Sequence, residues 1–504
     1  MLPAATMKLN RVTIHRGGPE TIYRQLCRQI RELILTGELV IGTRLPSTRE
    51  LAGALTVSRT TIRDVYEQLT AESYLSSSRG KGTFVIDHPV VKALSLERAT
   101  RSSCRRKRRG HAPSQPPVIS GRGRQFLSIP LGQSAPQCLP FNPALPDFDL
   151  FPFLKWSRIL KKTLVRRDHA AMDYGEASGY APLKEAIAQN LHHFRGLDCD
   201  PDQVIIVGSS EQAIRRMVFL LLDRDECIWF GEPGLHARHN AFRTAGVHTL
   251  SVSVDDQGVV VEEACRFKEK AKLAYVVPSS HYPLGKVMSL PRRLEILNWA
   301  SANNAWILED DFGCEFSFPG QAPPPIQSMD MDQRVIYMGG YSMTLFPSLR
   351  IAYLVVPKTL VNAAEHLARA EQSVSVALQP ALAEFVSAGH FMAHIRNMRK
   401  TYGRREQFLE QFLHHHLPCE TTVTGTGVGG PYLVLNLPAR IRDRTLSETL
   451  ARTGIIAHPL SSYYVHRKPD REYRNGLVLG FGCAPRVDLE RGARQLVERI
   501  NAGE

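Results

Sequence analysis

Nowhere in the 504 residues does an apolar run approach the roughly 18 consecutive residues of a membrane-crossing helix. The first twenty residues set Lys8, Arg11, Arg16 and Glu20 among short apolar pieces and lack the h-region of an export signal, so the sequence predicts a cytoplasmic chain with no membrane partner. No two cysteines form a CxxC pair. The nine cysteines, an odd number, are scattered from Cys27 to Cys483, a pattern of reduced thiols that argues against a disulfide scaffold or a zinc site. His414, His415 and His416 lack a spaced Cys or carboxylate partner, so they read as a polar helix end and no metal is expected. A GxxxxGK[ST] phosphate loop is also missing, which removes the usual nucleotide site. What the chain has is 43% hydrophobic and 22% charged residues over a length that suits two to four ordered domains.

Charge is distributed unevenly. Of the net charge of +14, residues 1–130 hold 22 Lys and Arg against 9 Asp and Glu, a net of +13. A basic front quarter joined to an electrically ordinary remainder is the footprint of a polyanion-binding module. Residues 101–120 place six basic side chains among Ser, Gly and three prolines with no apolar period, and read as a linker. Its Arg105 to Arg109 run is either a further set of phosphate contacts or simply solvated.

Between Thr21 and Thr36, Ile22, Leu26, Ile30 and Leu33 recur at three- or four-residue spacing, which predicts a helix stopped by Gly37. Ser47 with Glu50 three residues on is a capping box for a second helix through Leu51 and Leu55. Ser58 caps a third, in which Ile62, Val65, Tyr66 and Leu69 face a core while Arg59, Thr60, Arg63 and Asp64 face away. After Tyr74-Leu75, the run Arg79-Gly80-Lys81-Gly82 makes a basic turn between two strand-like pieces. This is a winged helix-turn-helix pattern. LPSTRELAGALTVSRTTIRDVYEQLTAESYL followed by RGKGTFV resembles the GntR family, over nearly all of residues 20–86. In the major groove of double-stranded DNA, Arg59 and Arg63 would read guanine edges, while Ser58, Thr60 and Thr61 would bond phosphate or bases. Arg49, Arg79 and Lys81 would hold the backbone or probe the minor groove. A winged helix used only for protein contacts is the alternative.

Beyond about residue 140, the apolar runs VIIV (204–207), AYVV (274–277), AWIL (305–308), VIYM (335–338) and AYLVV (352–356) alternate with helical segments, which predicts a mostly parallel sheet covered on both faces. Ligands in such folds collect at the carboxyl ends of strands, where Gly208-Ser209-Ser210, Pro278 to His281, Asp310-Asp311 and Ser342 lie. The ordered segments PFNPALPDFDLFP, YGEASGYAPLKEAIAQNL, QVIIVGSSEQAI, EPGLHARHNAF, PSSHYPLGKVMSLPRRLEILNWA, WILEDDFGCEF, YSMTLFPSLRIAYLVVP and RNGLVLGFG resemble the aminotransferase-like domain of MocR-type regulators, relatives of GabR. The resemblance implies an α/β architecture: a GntR-like winged helix-turn-helix at 20–87, a basic linker at 88–135, and a fold-type I aminotransferase-like effector and dimerisation domain at 136–504.

The resemblance also implies a site for pyridoxal phosphate formed by Ser209, Ser210, Asp310, Phe312, Tyr282, Ser342 and Arg350, with Asp310 facing the pyridine nitrogen and Arg350 the phosphate; Arg474 is either the partner of a ligand carboxylate or an exposed salt-bridging arginine. Several positions depart from the family pattern. Met343 stands where GTFSKTLFP has its lysine, and a thioether can form no Schiff base. Gly340 replaces a threonine, Phe312 the tyrosine of EDDYDSEF, Leu235 the tyrosine of EDPGY, Ser280-His281 a His-Gln pair, and Glu211 the neutral glutamine of GSQQA. Lys286 as a displaced Schiff-base lysine is disfavoured, because the family position belongs to the Ser342 strand. The expectation is a homodimeric DNA-binding transcriptional regulator whose large domain senses a small molecule, an amino acid or a vitamin B6-like compound, without transaminating it. Pyridoxal phosphate would be held noncovalently if it binds at all. A competent aminotransferase fused to a DNA-binding domain is the alternative, and a dimerisation scaffold that senses nothing is a third.

Overall fold

The computed structural model describes residue 9 and residues 12–17, 20–78, 81–87, 119–129, 138–165, 175–311, 313–317, 323–371, 375–425, 430–466 and 473–503. Arg79, Phe312 and the Arg105 to Arg109 run lie outside the described residues. The chain divides into two compact units, Met1–Val118 and Ile119–Glu504.

In the first unit, helix Ile22–Leu35 is capped by the Thr21 side chain and followed by Gly37 at φ +78°. Its buried stripe runs through Leu26, Ile30 and Ile34, while Ile22 and Leu33 are only half-buried. Helix Thr48–Leu55 starts at a reciprocal capping box: Glu50 N donates to Ser47 Oγ at 3.2 Å and Ser47 N to Glu50 Oε2 at 2.8 Å. Ser47→Ala removes half of that exchange and is expected to destabilise this unit by about 1 kcal/mol, read as a lower denaturant midpoint by circular dichroism. Helix Arg59–Ala71 buries Ile62, Val65, Tyr66 and Leu69, and strands β1 (Leu75–Ser78) and β2 (Gly82–Val85) pair antiparallel as the wing. The core also takes in Leu9 and Val12, upstream of the boundary at residue 20 read from sequence. That segment has no period of its own. It is held by side-chain amides that imitate a strand partner: Gln29 exchanges bonds of 2.9 and 2.7 Å with the backbone of Thr13, and Gln25 bonds of 2.9 and 3.0 Å with that of His15.

The second unit is built on β3 (Val204–Val207), β4 (Cys227–Glu232), β5 (His248–Asp255), β6 (Gly258–Val259), β7 (Ala271–Val276), β8 (Trp306–Asp310), β9 (Val335–Gly340) and β10 (Ala352–Val355), in the order β3-β10-β9-β8-β7-β4-β5-β6. Pairings from β9 through β5 are parallel, and β10 runs antiparallel to both neighbours. The sheet is covered on both faces. Val204 and Ile206 join one hydrophobic cluster while Ile205 and Val207 join another, as the two-residue side-chain period requires. A smaller antiparallel sheet follows, with β11 (Thr422–Gly425), β12 (Tyr432–Asn436), β13 (His458–Pro459) and β14 (Gly476–Gly480) in the order β11-β12-β14-β13.

The linker read from sequence as 88–135 needs a correction at its end, because helix Gly121–Leu127 falls inside that range and belongs to the second unit. Ser120 caps it by accepting from Gly123 N at 3.0 Å, and Arg243 fastens it by donating to Ser128 Oγ at 3.0 Å and Gln125 O at 3.2 Å. His414 to His416 form the last turn of helix His390–His416.

Candidate nucleic-acid interface and ligand site

On helix Arg59–Ala71 the buried positions 62, 65, 66 and 69 leave Arg59, Thr60, Arg63, Asp64 and Glu67 exposed on the opposite face. Ser58 Oγ accepts from Thr61 N at 3.0 Å and lies 2.7 Å from the hydroxyls of both Thr60 and Thr61, so the helix start is a fixed cluster of hydroxyl groups. The Arg63 side chain is 60% exposed and reaches Asp64 at 3.4 Å and Glu67 at 3.8 Å, surface pairs of the weak, screened kind that a phosphate or guanine can replace. Arg49 and Lys81 are exposed. Sequence reading passed over Arg44, which bridges to Phe84 and packs against Gly82: a Cβ at Gly82 would lie 2.8 Å from its Nε. A lone arginine in a loop gives no periodic signal, and only the fold brings it to the wing.

In the second unit, a cavity of about 380 Å³ opens at the carboxyl ends of β4, β7 and β8, where a parallel sheet leaves its ligand crevice. It brings together three of the residues singled out from sequence, Tyr282, Asp310 and Met343, together with Leu235 and His281. Ser209, Ser210, Ser342 and Arg350 are not on its wall, and neither is Arg474, whose backbone N donates to Tyr464 Oη at 3.3 Å. Ser342 and Arg350 are exposed. Lys286 is also off the wall, and pairs with Asp256 at 2.7 Å.

Arg238 is the residue that sequence reading missed. Its Nε donates to Asp310 Oδ2 at 3.0 Å, and its Nη1 donates to the Glu211 carboxylate. Tyr275 Oη donates to the same Asp310 oxygen at 2.7 Å. Burial opposes ionisation of Glu211, yet Arg238, its own backbone N–H and the Ser209 hydroxyl hold its carboxyl below the usual range. Next along the helix, Gln212 N donates to Ser209 Oγ at 3.2 Å, and Gly208 N donates back to Gln212 Oε1 at 2.6 Å. At the start of helix Ser210–Leu221 the N–H groups of Gly208, Glu211 and Gln212 are therefore taken by its own side chains. Arg238 had a signal in the sequence after all: it stands in phase with the buried Ala241, Phe242 and Ala245, a charge on an apolar stripe.

Much of the remaining wall is aromatic or apolar, with Phe230, Tyr282, Tyr463, Val277 and Pro143, and His236, His458 and Ser462 add polar groups. Tyr282 and Tyr463 share a hydrogen bond of 2.8 Å, and His458 Nδ1 lies 3.0 Å from the same Tyr463 oxygen. Burial pushes the His281 imidazole down to about 4, against the help of its Nε2 bond to Pro233 O at 2.8 Å, and it lowers His458 as well. Both rings are neutral near pH 7.

Residues 22–85 match the model of the gntR family of bacterial regulatory proteins, and residues 147–473 match aminotransferase class I and II. The probable rhizopine catabolism regulatory protein MocR of Rhizobium meliloti is 32% identical over 96% of this chain and 95% of its own length. The chain belongs to the MocR branch of the GntR family. Another relative, the HTH-type pyridoxine biosynthesis transcriptional regulator PdxR of Corynebacterium glutamicum, is 28% identical over 96% of this chain and 97% of its own. Among solved structures, the multiple substrate aminotransferase of Thermococcus profundus superposes with a TM-score of 0.67 at 24% identity, over 76% of this chain and 98% of that one. LysN of Thermus thermophilus, solved with N-(5'-phosphopyridoxyl)-L-leucine, gives 0.65 at 22%, over 77% and 96%. The fold of this chain's second unit is thus the aminotransferase fold, and no helix among the described residues of the chain is long and apolar enough to cross a membrane.

Proposed function

We propose that this MocR-family chain is a cytoplasmic transcriptional regulator that binds double-stranded DNA through its winged helix and senses a small molecule with its aminotransferase-like unit, without transamination. The observation that supports it most is the pairing of a helix-turn-helix, with Arg59 and Arg63 on its outward face, with a crevice whose wall carries Met343 in place of a Schiff-base lysine. Arg49, Ser58, Thr60, Thr61, Arg79 and Lys81 complete the DNA surface in this reading, and a homodimer presents two copies to two half-sites. The effector biases operator binding only through different affinities for two arrangements of the protein.

The residues present do not fit pyridoxal phosphate. Asp310, the partner of a pyridine nitrogen, already accepts from Arg238 and Tyr275; Glu211 sets an anion at the helix start where a phosphate would rest; and Met343 supplies no amine. Arg350 and Arg474 are exposed cations outside the cavity wall. The noncovalent cofactor role expected of Ser209, Ser210, Ser342, Arg350 and Phe312 would require this charge set to rearrange.

Arg63→Ala tests the DNA half of the reading. Selection from a random duplex library should give a relaxed preference at one position, with about 1–3 kcal/mol of discrimination lost if Arg63 makes a bidentate guanine contact. An unchanged selected sequence would remove Arg63 from base readout.

A further inference from the structure

Three charges lie in a row at one side of the cavity, Arg238 and Asp310 on its wall and Glu211 beyond it, joined through the two ends of one guanidinium. An anion at the start of a helix and a cation against the aspartate at the end of β8 are the charges that a phosphopyridoxyl group would bring to the same places, a phosphate at one end and a pyridinium at the other. We propose that Arg238 and Glu211 fill the cofactor seat from within the chain, and that the cavity in front of them binds an uncharged aromatic molecule. This rests on reading the second unit as a sensor without catalysis, and it names the class of ligand sensed.

The seat is stable as built. Arg238 is only 9% exposed, and each of its carboxylate partners has further donors: Tyr275 for Asp310, Ser209 and a backbone N–H for Glu211. An incoming phosphate would have to displace the half-buried Glu211 from the buried Arg238 and from the helix start, which leaves the guanidinium short of one partner. The wall also opposes an anion. The row of three carries one more negative than positive charge, and the buried rings of His281 and His458 add no positive charge near pH 7. An ammonium gains little either, because Asp310 Oδ2 and the Glu211 carboxylate are engaged by guanidinium and hydroxyl donors. The remaining wall is largely ring and apolar surface: Phe230, Tyr275, Tyr282 and Tyr463, with Leu235 and Met343. Aromatic faces favour a planar ligand through offset or edge contacts. The volume suits a small molecule of one or two rings.

The test uses the full-length chain and three probes with one ring system and different charge: indole, tryptamine and indole-3-acetate. Saturation-transfer NMR with competition is expected to show indole bound and each charged analogue at least about tenfold weaker. Leu235→Trp, which places a second ring in the cavity, should abolish the indole signal. No transfer to indole, or tighter binding of either charged analogue, would overturn the ligand class.

The seat is tested by the double variant Glu211→Gln with Arg238→Ala, which removes the internal pair and leaves Asp310, still bonded by Tyr275, open to a pyridinium. Its affinity for pyridoxal phosphate, followed by tyrosine and tryptophan fluorescence, should exceed that of the natural chain by at least about tenfold. If the natural chain binds pyridoxal phosphate as tightly as the double variant does, the seat is not filled. Should the double variant fold poorly, Glu211→Gln alone removes the anion from the helix start: a rise in inorganic phosphate binding supports the filled seat, and no rise overturns it. Duplex-DNA binding by the same preparations keeps the two readings apart. Intact DNA binding with a failed probe series sinks only this inference, whereas absent DNA binding sinks the regulator reading and leaves the cavity result to be judged by itself.

Discussion

Between about 50 and about 200 mM salt, the affinity of the full chain for duplex DNA is expected to fall by roughly 10³–10⁵ if six to ten phosphates are neutralised. The size of the effect follows from where the charge sits. Nearly all of the net +14 belongs to residues 1–130, and on the winged helix the cations Arg44, Arg49, Arg59, Arg63 and Lys81 are at least partly exposed. Such groups release condensed counterions when they meet phosphates, so each contact adds close to one unit to the slope of log affinity against log salt. Arg49→Ala and Lys81→Ala, as contacts to the backbone, should each reduce that slope by about one and weaken all sequences alike, unlike Arg63→Ala. Fluorescence anisotropy with one duplex across a salt series provides the measurement. A flat response would exclude phosphate contacts as the source of binding, and with them the proposed role of the front unit.

How far each part was legible depends on whether its determinants are local. The three helices of the front unit were readable because capping and apolar spacing act within a few residues: Ser47 and Glu50 signal each other across one turn, and Ile62, Val65, Tyr66 and Leu69 mark one face. The strands VIIV and VIYM were equally plain, being buried on both sides and so apolar at every position. Strand β4 was not read, because CIWFGE ends in Glu232, a charge that is buried only because the backbone of Val465 and His466 donates to it from far along the chain. The site divides in the same way. Met343, Glu211 and Leu235 were visible as departures within motifs. What these departures amount to was invisible, because it depends on Arg238 crossing from helix His236–Ala245 to reach Glu211 and Asp310 at once. Two unusual charges in separate motifs look like two losses. In space they are one pair, each offsetting the other.

Asp311→Ala is expected to destabilise the second unit by about 3–5 kcal/mol, since it strands a buried arginine. Asp311 is 3% exposed and takes Arg195 Nε on Oδ2 at 2.8 Å and Nη2 on Oδ1 at 3.2 Å. Tyr337 Oη donates to Oδ2 at 2.7 Å and the Ser279 hydroxyl donates to Oδ1, so one carboxylate ties helix Ala181–Arg195, strand β9 and the segment after β7 to the end of β8. Burial works to raise its pKa, but Arg195 and these hydroxyls prevail and hold it below the usual range. A depressed carboxylate contributes stability above its unfolded value of about 3.9, and that contribution is lost as pH falls through the folded value. The acid limb of stability against pH should therefore shrink in Asp311→Ala. Its neighbour Glu309 has the opposite sign: burial and the Asp311 anion push it up to about 7, so its effect is to lower stability as pH rises toward that value. Removing Asp311 relieves part of that strain, which makes the net loss smaller near pH 7 than the pair alone implies. Urea unfolding of Asp311→Ala, Arg195→Leu and the double variant separates these effects. The double variant should recover part of the loss, because no lone charge remains buried. Because Asp311 fixes the end of β8, the same change should loosen Asp310 and the row of charges at the cavity wall, so indole binding should weaken together with stability. A variant that loses stability while keeping the cavity unchanged would show that Asp310 is held by Arg238 and Tyr275 alone.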